Sequence, residues 1–184
     1  MKTGDEISNP RTGQRMVFRQ TSADTGGALL QIETFNPRGP AEPEHVHPLQ
    51  ESNARVLAGT LHFNVQGRTR IVRAGETIVI PPNIPHYFWN EGEEVAHAIQ
   101  ELRPALRTED FFETYFALAR DGKLNAQGLP PNLLHLAVLT AAYWDVIRVT
   151  RPPMPIQRIF ATLLAPLGRR RGYLARPAQE GGAL

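Results

Sequence analysis

The first hundred residues alternate short apolar runs with turn-forming residues, a pattern typical of β-strands. Val, Ile, Leu and Phe alternate with polar residues, and Gly, Pro and Asn separate the runs. Many short strands at this spacing favour a β-sandwich or a β-barrel. Gln66 and Gly67 predict a hairpin turn between two of the runs. The predicted strands cover 15–19, 28–35, 53–58, 60–65, 68–72, 77–80, 86–89 and 95–102.

The hydrophobic period changes after Pro104, and the remainder of the chain predicts three helices. The first begins at Thr108 and covers 108–120, with acidic residues in its first turn. The second is long and apolar, covers 133–149 and has Asn132 as its cap. Prolines end it, and a third helix covers 156–167. We expect residues 175–184 to fray.

This change divides the chain into a β domain, 1–104, and a helical extension, 105–184. The extension is expected to pack on the barrel or at a homodimer interface, and it could also form a lid over the barrel mouth. The alternative is interfacial membrane contact, with Arg169, Arg170 and Arg171 facing anionic lipid. Charged residues interrupt the apolar run of the second helix, so it lacks the pattern of a membrane span.

Composition narrows the function classes. The 184 residues are 41% hydrophobic, which permits a packed core. The formal net charge of +2 gives no support for nucleic-acid binding, and no nucleic-acid partner is expected. The chain has no cysteine, so a metal would need nitrogen and oxygen ligands. The polar N-terminus lacks the apolar segment of a signal peptide, so a cytoplasmic location is the default expectation.

Two histidines and a glutamate stand close together in the segment GPAEPEHVHPLQESNARVLAG, residues 39–59. In an extended segment His45 and His47 point to the same side, because alternate residues of a strand share a face. Glu51 follows after three residues. Two imidazoles and a carboxylate suit Fe(II), Mn, Co, Ni or Zn better than Ca or Mg. Alone, the two histidines are a weak signal.

A second segment, GETIVIPPNIPHYFWN at 75–90, strengthens the evidence for a metal site. Gly75, Pro81, His86 and Asn90 are spaced as in the second motif of the cupin superfamily, G(X)5PxG(X)2H(X)3N. The first segment resembles the first cupin motif, G(X)5HxH(X)3–4E(X)6G, from Gly39 onward. The resemblance covers residues 29–104 and contains both motifs in order.

Two positions depart from the motifs. Asn83 stands where glycine is usual, and asparagine tolerates the left-handed conformation that a turn there requires. Counted from Glu51, Gly59 comes one residue later than the pattern. We interpret this as a longer connection between strands.

The resemblance implies a mainly β fold: an antiparallel cupin β-barrel, also called a double-stranded β-helix or jelly roll, followed by the α-helical appendage. It implies one divalent transition metal ion, Fe(II), Mn, Ni, Co or Zn. The family's ligand positions fall on His45, His47, Glu51 and His86. The alternative is that these polar residues belong to a metal-free barrel that binds a ligand. Burying four titratable side chains without a metal would be costly.

Cupins carry out many reactions, so the function must be argued from the site. Our main hypothesis is a dioxygenase-type oxidoreductase acting on a small oxygenated substrate, such as an enediol, diketone or hydroxyketone. Glu51 is then the catalytic residue, because a carboxylate ligand can dissociate and transfer a proton. The alternatives are a non-redox isomerase or cyclase, and a sensor cupin that only binds a small ligand.

Five further residues are candidates for substrate binding. Phe88 shares the face of His86 by strand alternation, and Arg55 could anchor an anion. The remaining three face either the cavity or solvent, and they are His62, Asn64 and His97. Each also has a structural interpretation, as a core or surface side chain.

Overall fold

The computed structural model describes residues 1–175, which form two antiparallel sheets and three helices. The strands are β1 (Glu6–Ser8), β2 (Arg15–Gln20), β3 (Leu30–Asn36), β4 (His45–Val46), β5 (Glu51–Ala58), β6 (Thr60–Val65), β7 (Arg68–Arg73), β8 (Thr77–Ile80), β9 (His86–Trp89), β10 (Ala96–Arg103) and β11 (Arg148–Val149). The helices are α1 (Thr108–Arg120), α2 (Leu133–Ala142) and α3 (Met154–Arg170).

The strands form two facing sheets. One has the order β1-β2-β3-β10-β5-β8 and the other the order β11-β4-β9-β6-β7. Alternate residues from both sheets meet in a shared core, for example Val56 and Ile80 from one and Leu61 and Val72 from the other. The predicted cupin jelly roll is confirmed. Within residues 1–175, strand pairing does not join the two sheets into a closed barrel, so the strand order is that of a sandwich.

All eight predicted strands form, and their ends differ from the prediction by at most two residues. The hairpin turn is also confirmed, because Gln66 and Gly67 have φ angles of 52° and 78°. Asn83 has a φ of 63°, as its position in the motif required. Three strands of two or three residues were not predicted, since such short segments show no alternation: β1, β4 and β11.

The second helix is shorter than predicted. Asn132 caps it as expected, because its Oδ1 accepts hydrogen bonds from two backbone N–H groups. The helix ends at Ala142, whereas the prediction ran to residue 149. The last two of those residues instead form β11, which pairs with β4 at the edge of the five-stranded sheet. Pairing with an existing edge outweighs the helical preference of this apolar run.

The helical extension packs against the sandwich through α1. Phe112 and Phe116 of α1 contact the core residues Met16 and Leu30. α2 and α3 pack against each other, and Gly168 permits their close approach because a Cβ there would lie 2.6 Å from the carbonyl oxygen of Leu134. The extension therefore continues the hydrophobic core of the β domain.

α3 also exposes apolar side chains on its outer face, namely Ile156, Ile159, Leu163 and Leu167. Across residues 1–175, no helix combines the length and hydropathy needed to cross a membrane. The homodimer and the interfacial membrane contact stay predictions. The expected fraying of residues 175–184 falls almost entirely outside the described part of the chain.

Candidate metal centre

Three buried histidines meet between two paired strands. β4 and β9 pair so that His45 lies directly opposite His86, and their ring centroids are 4.5 Å apart. The ring of His47 lies 5.2 Å from that of His45 and 5.4 Å from that of His86. One nitrogen from each imidazole lies within 4.8 Å of the other two. Three of the four predicted ligands are thus brought together.

The backbone fixes the orientation of all three rings. The Nδ1 atoms of His45, His47 and His86 lie 2.8, 2.9 and 2.8 Å from backbone carbonyl oxygens. A carbonyl oxygen only accepts, so each Nδ1 carries the proton and donates it. Each Nε2 is then left with a lone pair. Such hydrogen bonds to the second nitrogen are typical of metal-binding histidines.

The hydrogen bond of His47 comes from the helical extension. Its acceptor is the carbonyl oxygen of Val146, in the segment between α2 and β11. The two acceptors for His45 and His86 are local, on Pro43 and Ile84. The triad is therefore completed by residues beyond the β domain.

The surroundings keep the three imidazoles neutral. Burial first, and then the charge of His86, lower the pKa of His47 to about 4, against the opposing effect of the Val146 carbonyl and Gln50. Burial together with the neighbouring histidines holds the pKa of His45 well below its usual range. Burial likewise lowers the pKa of His86. Metal coordination requires neutral imidazole, so all three shifts favour it.

The donor set of three converging, neutral imidazoles fits a divalent transition metal. Imidazole suits Fe, Ni, Cu and Zn, whereas Ca and Mg prefer oxygen ligands. His45, His47 and His86 would hold such an ion from one side. The remaining coordination positions would face the interior cavity, whose wall includes all three histidines.

Glu51 does not join this cluster. Among the described residues, the group of candidate ligand atoms within 4.8 Å consists of the three histidines alone. Alternate residues of β5 are buried, beginning with Ser52, and Ser52 lines the cavity. Glu51 therefore lies on the other face of the strand, opposite Arg103 of β10. Its assignment as fourth ligand and catalytic residue is corrected.

Ser52 occupies the place that the motif gives to its glutamate. Four residues separate His47 from Ser52, and six separate Ser52 from Gly59. Both spacings match the first cupin motif without the extra residue that Glu51 required. The signal was present in the sequence, as the late position of Gly59. The motif's carboxylate is replaced here, because serine occupies the glutamate position.

A cavity of about 440 Å³ extends from the histidines to the helices. Its wall on the sheet side includes the polar residues Gln14, Thr34, Asn36, Ser52 and Gln100. Its wall on the helical side is largely aromatic and aliphatic, with residues of α1, α2 and α3. Residues of the helical extension thus form part of the cavity wall.

Glu42 is the acidic residue in the described wall of this cavity. Its backbone N–H donates to the carbonyl oxygen of Phe88 at 3.3 Å, which holds its loop against β9. Burial raises the pKa of Glu42 to about 7, against the lowering effect of the Arg11 charge. Sequence reasoning missed Glu42, because the cavity wall to which it belongs also includes helical residues more than sixty positions away.

Of the five substrate-binding candidates, Phe88 lines the cavity, as predicted from its shared face with His86. Arg55 does not, because it lies on the outer face of β5 and is exposed. Asn64 is buried, but its Oδ1 accepts a hydrogen bond from the N–H of Gly67 and so supports the hairpin turn.

His62 and His97 also lie outside the cavity wall. His62 stacks on Trp89, with 5.4 Å between ring centroids. The Nε2 of His97 lies 2.5 Å from a carboxylate oxygen of Glu33 on β3. Their structural interpretations fit these contacts, and the structure does not place either histidine at the site.

Comparison with known proteins supports the assignment of the β domain. Residues 31–100 match the family model described as "Cupin domain". Oxalate oxidase 1 of Hordeum vulgare is 32% identical over 84 residues, which cover 41% of each chain. The polyketide synthase CurC of Streptomyces cyaneus is 36% identical over 61 residues, covering 33% of this chain and 40% of its own.

The chain thus spans less than half the length of either relative. Among solved structures, a predicted oxalate decarboxylase from Thermotoga maritima superposes with a TM-score of 0.49 at 21% identity. That superposition covers 55% of this chain and 92% of the other.

Proposed function

This chain carries a cupin domain and belongs through it to the cupin superfamily, and on that premise we propose that it is a metal-dependent enzyme. The observation that carries the proposal is the triad of His45, His47 and His86 at the wall of the cavity. Their Nδ1 protons are held by backbone carbonyls and their Nε2 lone pairs are free to bind. This arrangement is pre-organised for coordination, not for packing alone.

The substrate proposed for this site is a small molecule with oxygens on adjacent or nearby carbons, such as an enediol, diketone or hydroxyketone. A bound divalent ion would supply Lewis acidity and stabilise negative charge that develops on these oxygens. The three imidazoles bring no negative charge of their own. The site therefore favours substrate oxygens that are anionic or readily ionised.

We assign proton transfer to Glu42 in place of Glu51. Glu42 lies in the cavity wall, and a group with a pKa near 7 can both accept and release a proton at neutral pH. The polar residues Gln14 and Asn36 share that wall and are linked by a hydrogen bond of 2.8 Å. They are positioned to orient the oxygen-bearing end of a substrate.

The reaction we propose is an oxidation of the dioxygenase type. O2 is the oxidant: one carbon–carbon bond of the substrate breaks, and each of the two carbons gains one oxygen atom. The similarity to a protein named oxalate oxidase supports a small oxygenated substrate. A non-redox isomerase or cyclase is the second candidate, because a bound divalent ion could stabilise the same enolate without O2.

Metal analysis of protein purified without chelator, beside a His47→Ala variant, tests the proposal. We expect near-stoichiometric transition metal in the wild type and loss of metal in the variant. O2 uptake with a panel of diketones and hydroxyketones then separates the two reactions, because isomerisation or cyclisation consumes no O2. If both proteins are empty and added metal does not raise the melting temperature, the enzyme proposal fails.

A further inference from the structure

The cavity has a feature that a small polar substrate does not use, namely its apolar wall. On α1, three aromatic side chains line the cavity, Phe111, Phe112 and Tyr115. The ring centroids of Phe112 and Tyr115 lie 5.6 and 5.8 Å from that of Phe111. These rings are only partly buried, although helices and strands surround them. Their remaining surface faces the space that a ligand would fill.

α2 and α3 extend the same wall. Leu136 and Leu139 of α2 line the cavity one turn apart, and Phe160 of α3 lies beside them. Leu136 and Leu139 are likewise partly buried. Aromatic and branched aliphatic surfaces thus continue across three helices.

The wall formed by the strands contains the three histidines and further polar side chains, beside apolar ones such as Leu61 and Phe63. The Nε2 of Gln14 donates to Asn36, and the Nδ2 of Asn36 donates to Thr34 at 3.1 Å. Ser52 lies on the same side of the cavity. The strand side of the cavity therefore offers more hydrogen-bonding groups to a ligand than the helical side does.

The volume shows that the apolar end needs an occupant. About 440 Å³ lies within the range of pockets that hold drug-sized ligands. A diketone or hydroxyketone of a few heavy atoms would leave most of it unfilled. Ordered water is disfavoured in such a space, because water needs several polar partners.

We infer that the substrate is amphipathic, with an oxygen-bearing end at the histidines and an aromatic or branched aliphatic body against α1, α2 and α3. The position of the polar end rests on the proposed function, whereas the apolar body rests on the helical wall alone. The helical extension is then the element that selects the substrate.

The test compares two α-keto acids that share a polar end, pyruvate and phenylpyruvate. Calorimetry measures their Kd values for the full chain, Zn²⁺-loaded and after treatment with chelator. We expect phenylpyruvate to bind at least about tenfold more tightly than pyruvate, since its ring buries additional apolar surface. Chelator should weaken both ligands by a similar factor and leave their ratio unchanged.

Leu136→Asn places a polar side chain in the apolar wall and should reduce the ratio towards one. Leu163→Asn is the matched control, because Leu163 is 68% exposed and lies outside the cavity wall. It should leave the ratio unchanged.

The outcomes separate the two proposals. Equal affinities for the two acids in the wild type, or no binding of either, overturn the amphipathic substrate. If phenylpyruvate is preferred but chelator leaves both Kd values unchanged, the inference is supported and the metal-dependent function is contradicted. If chelator weakens the binding of both acids and neither acid is preferred, the metal-dependent function is supported and the amphipathic substrate is contradicted.

Discussion

The Nδ1 of His47 donates a hydrogen bond to the carbonyl oxygen of Val146, 99 residues further along the chain. This bond joins the candidate metal centre to the helical extension. β11 strengthens the connection, because Val149 pairs with His45 in the neighbouring strand. The extension thus shapes the metal site as well as the cavity beside it.

The first prediction concerns Gln157, a buried residue of α3 that holds this segment. Its Nε2 donates to the carbonyl oxygens of Val149 and Pro152, at 2.8 and 2.5 Å. Gln157→Leu removes both bonds and loosens β11, which pairs with the strand of His45 and directly follows the segment whose Val146 carbonyl orients His47. We expect the affinity for Zn²⁺ to fall by up to about tenfold, since loss of such outer partners weakens metal sites.

A competition titration with a chromogenic chelator measures this effect. Thr162→Leu is the control, because Thr162 lies exposed on the same helix. Equal Zn²⁺ affinities for Gln157→Leu and the wild type would show that the extension does not support the triad.

The second prediction concerns the register of β5. Ser52 faces the cavity and Glu51 does not, so Ser52→Glu places a carboxylate beside the three histidines. We expect Ser52→Glu to raise the affinity for Zn²⁺ by at least about tenfold, since the ligand gained is anionic. Glu51→Gln should leave the affinity unchanged. The same competition titration measures the Zn²⁺ affinity of both variants. A loss of affinity in Glu51→Gln, with no gain in Ser52→Glu, would restore Glu51 as the ligand.

Glu51 and Ser52 show how much of the candidate site could be predicted from the sequence. The structure brings His45, His47 and His86 together, because the two motifs that contain them also specify the strands that carry them. The fourth position was assigned one residue too early. Side chains alternate across a strand, so that single step moved the assignment to the opposite face.

The helical extension shows which features could not be predicted from the sequence. The apolar run from 133 to 149 predicts one helix, yet its end becomes β11 because an edge of the sheet is available there. The contribution of Glu42 and of the α1 aromatic residues depends on long-range packing. A single sequence carries no periodic signal for such contacts.

The third prediction concerns acid stability of the metal-free protein. The pKa of His47 is lowered from 6.5 to about 4, chiefly by burial. The unfolded chain therefore binds protons first as pH falls, and the contribution of His47 is fully present above pH 6.5 and lost towards pH 4. The loss amounts to at most about 3 kcal/mol. His45 and His86 act in the same direction.

Urea unfolding of chelator-treated protein between pH 7.5 and 4.5 measures this loss. His47→Gln should have a flatter pH profile than the wild type, because glutamine does not titrate. Parallel profiles for the two proteins would contradict the role of His47 burial.

The last prediction concerns Glu42, whose pKa is raised from 4.5 to about 7 by burial. A raised folded-state pKa means that the native protein retains a proton which the unfolded chain loses first. Its contribution to stability is therefore fully present below pH 4.5 and is lost as pH rises through 7. The free energy of unfolding should fall by at most about 3 kcal/mol across this window.

Glu42→Gln should abolish that part of the pH dependence and be more stable than the wild type at pH 8. Glu94→Gln, at an exposed position, is the control and should follow the wild type. Urea unfolding at pH 5, 6, 7 and 8 measures the difference, and identical slopes for all three proteins would show that Glu42 is ionised at neutral pH in an ordinary, solvated environment.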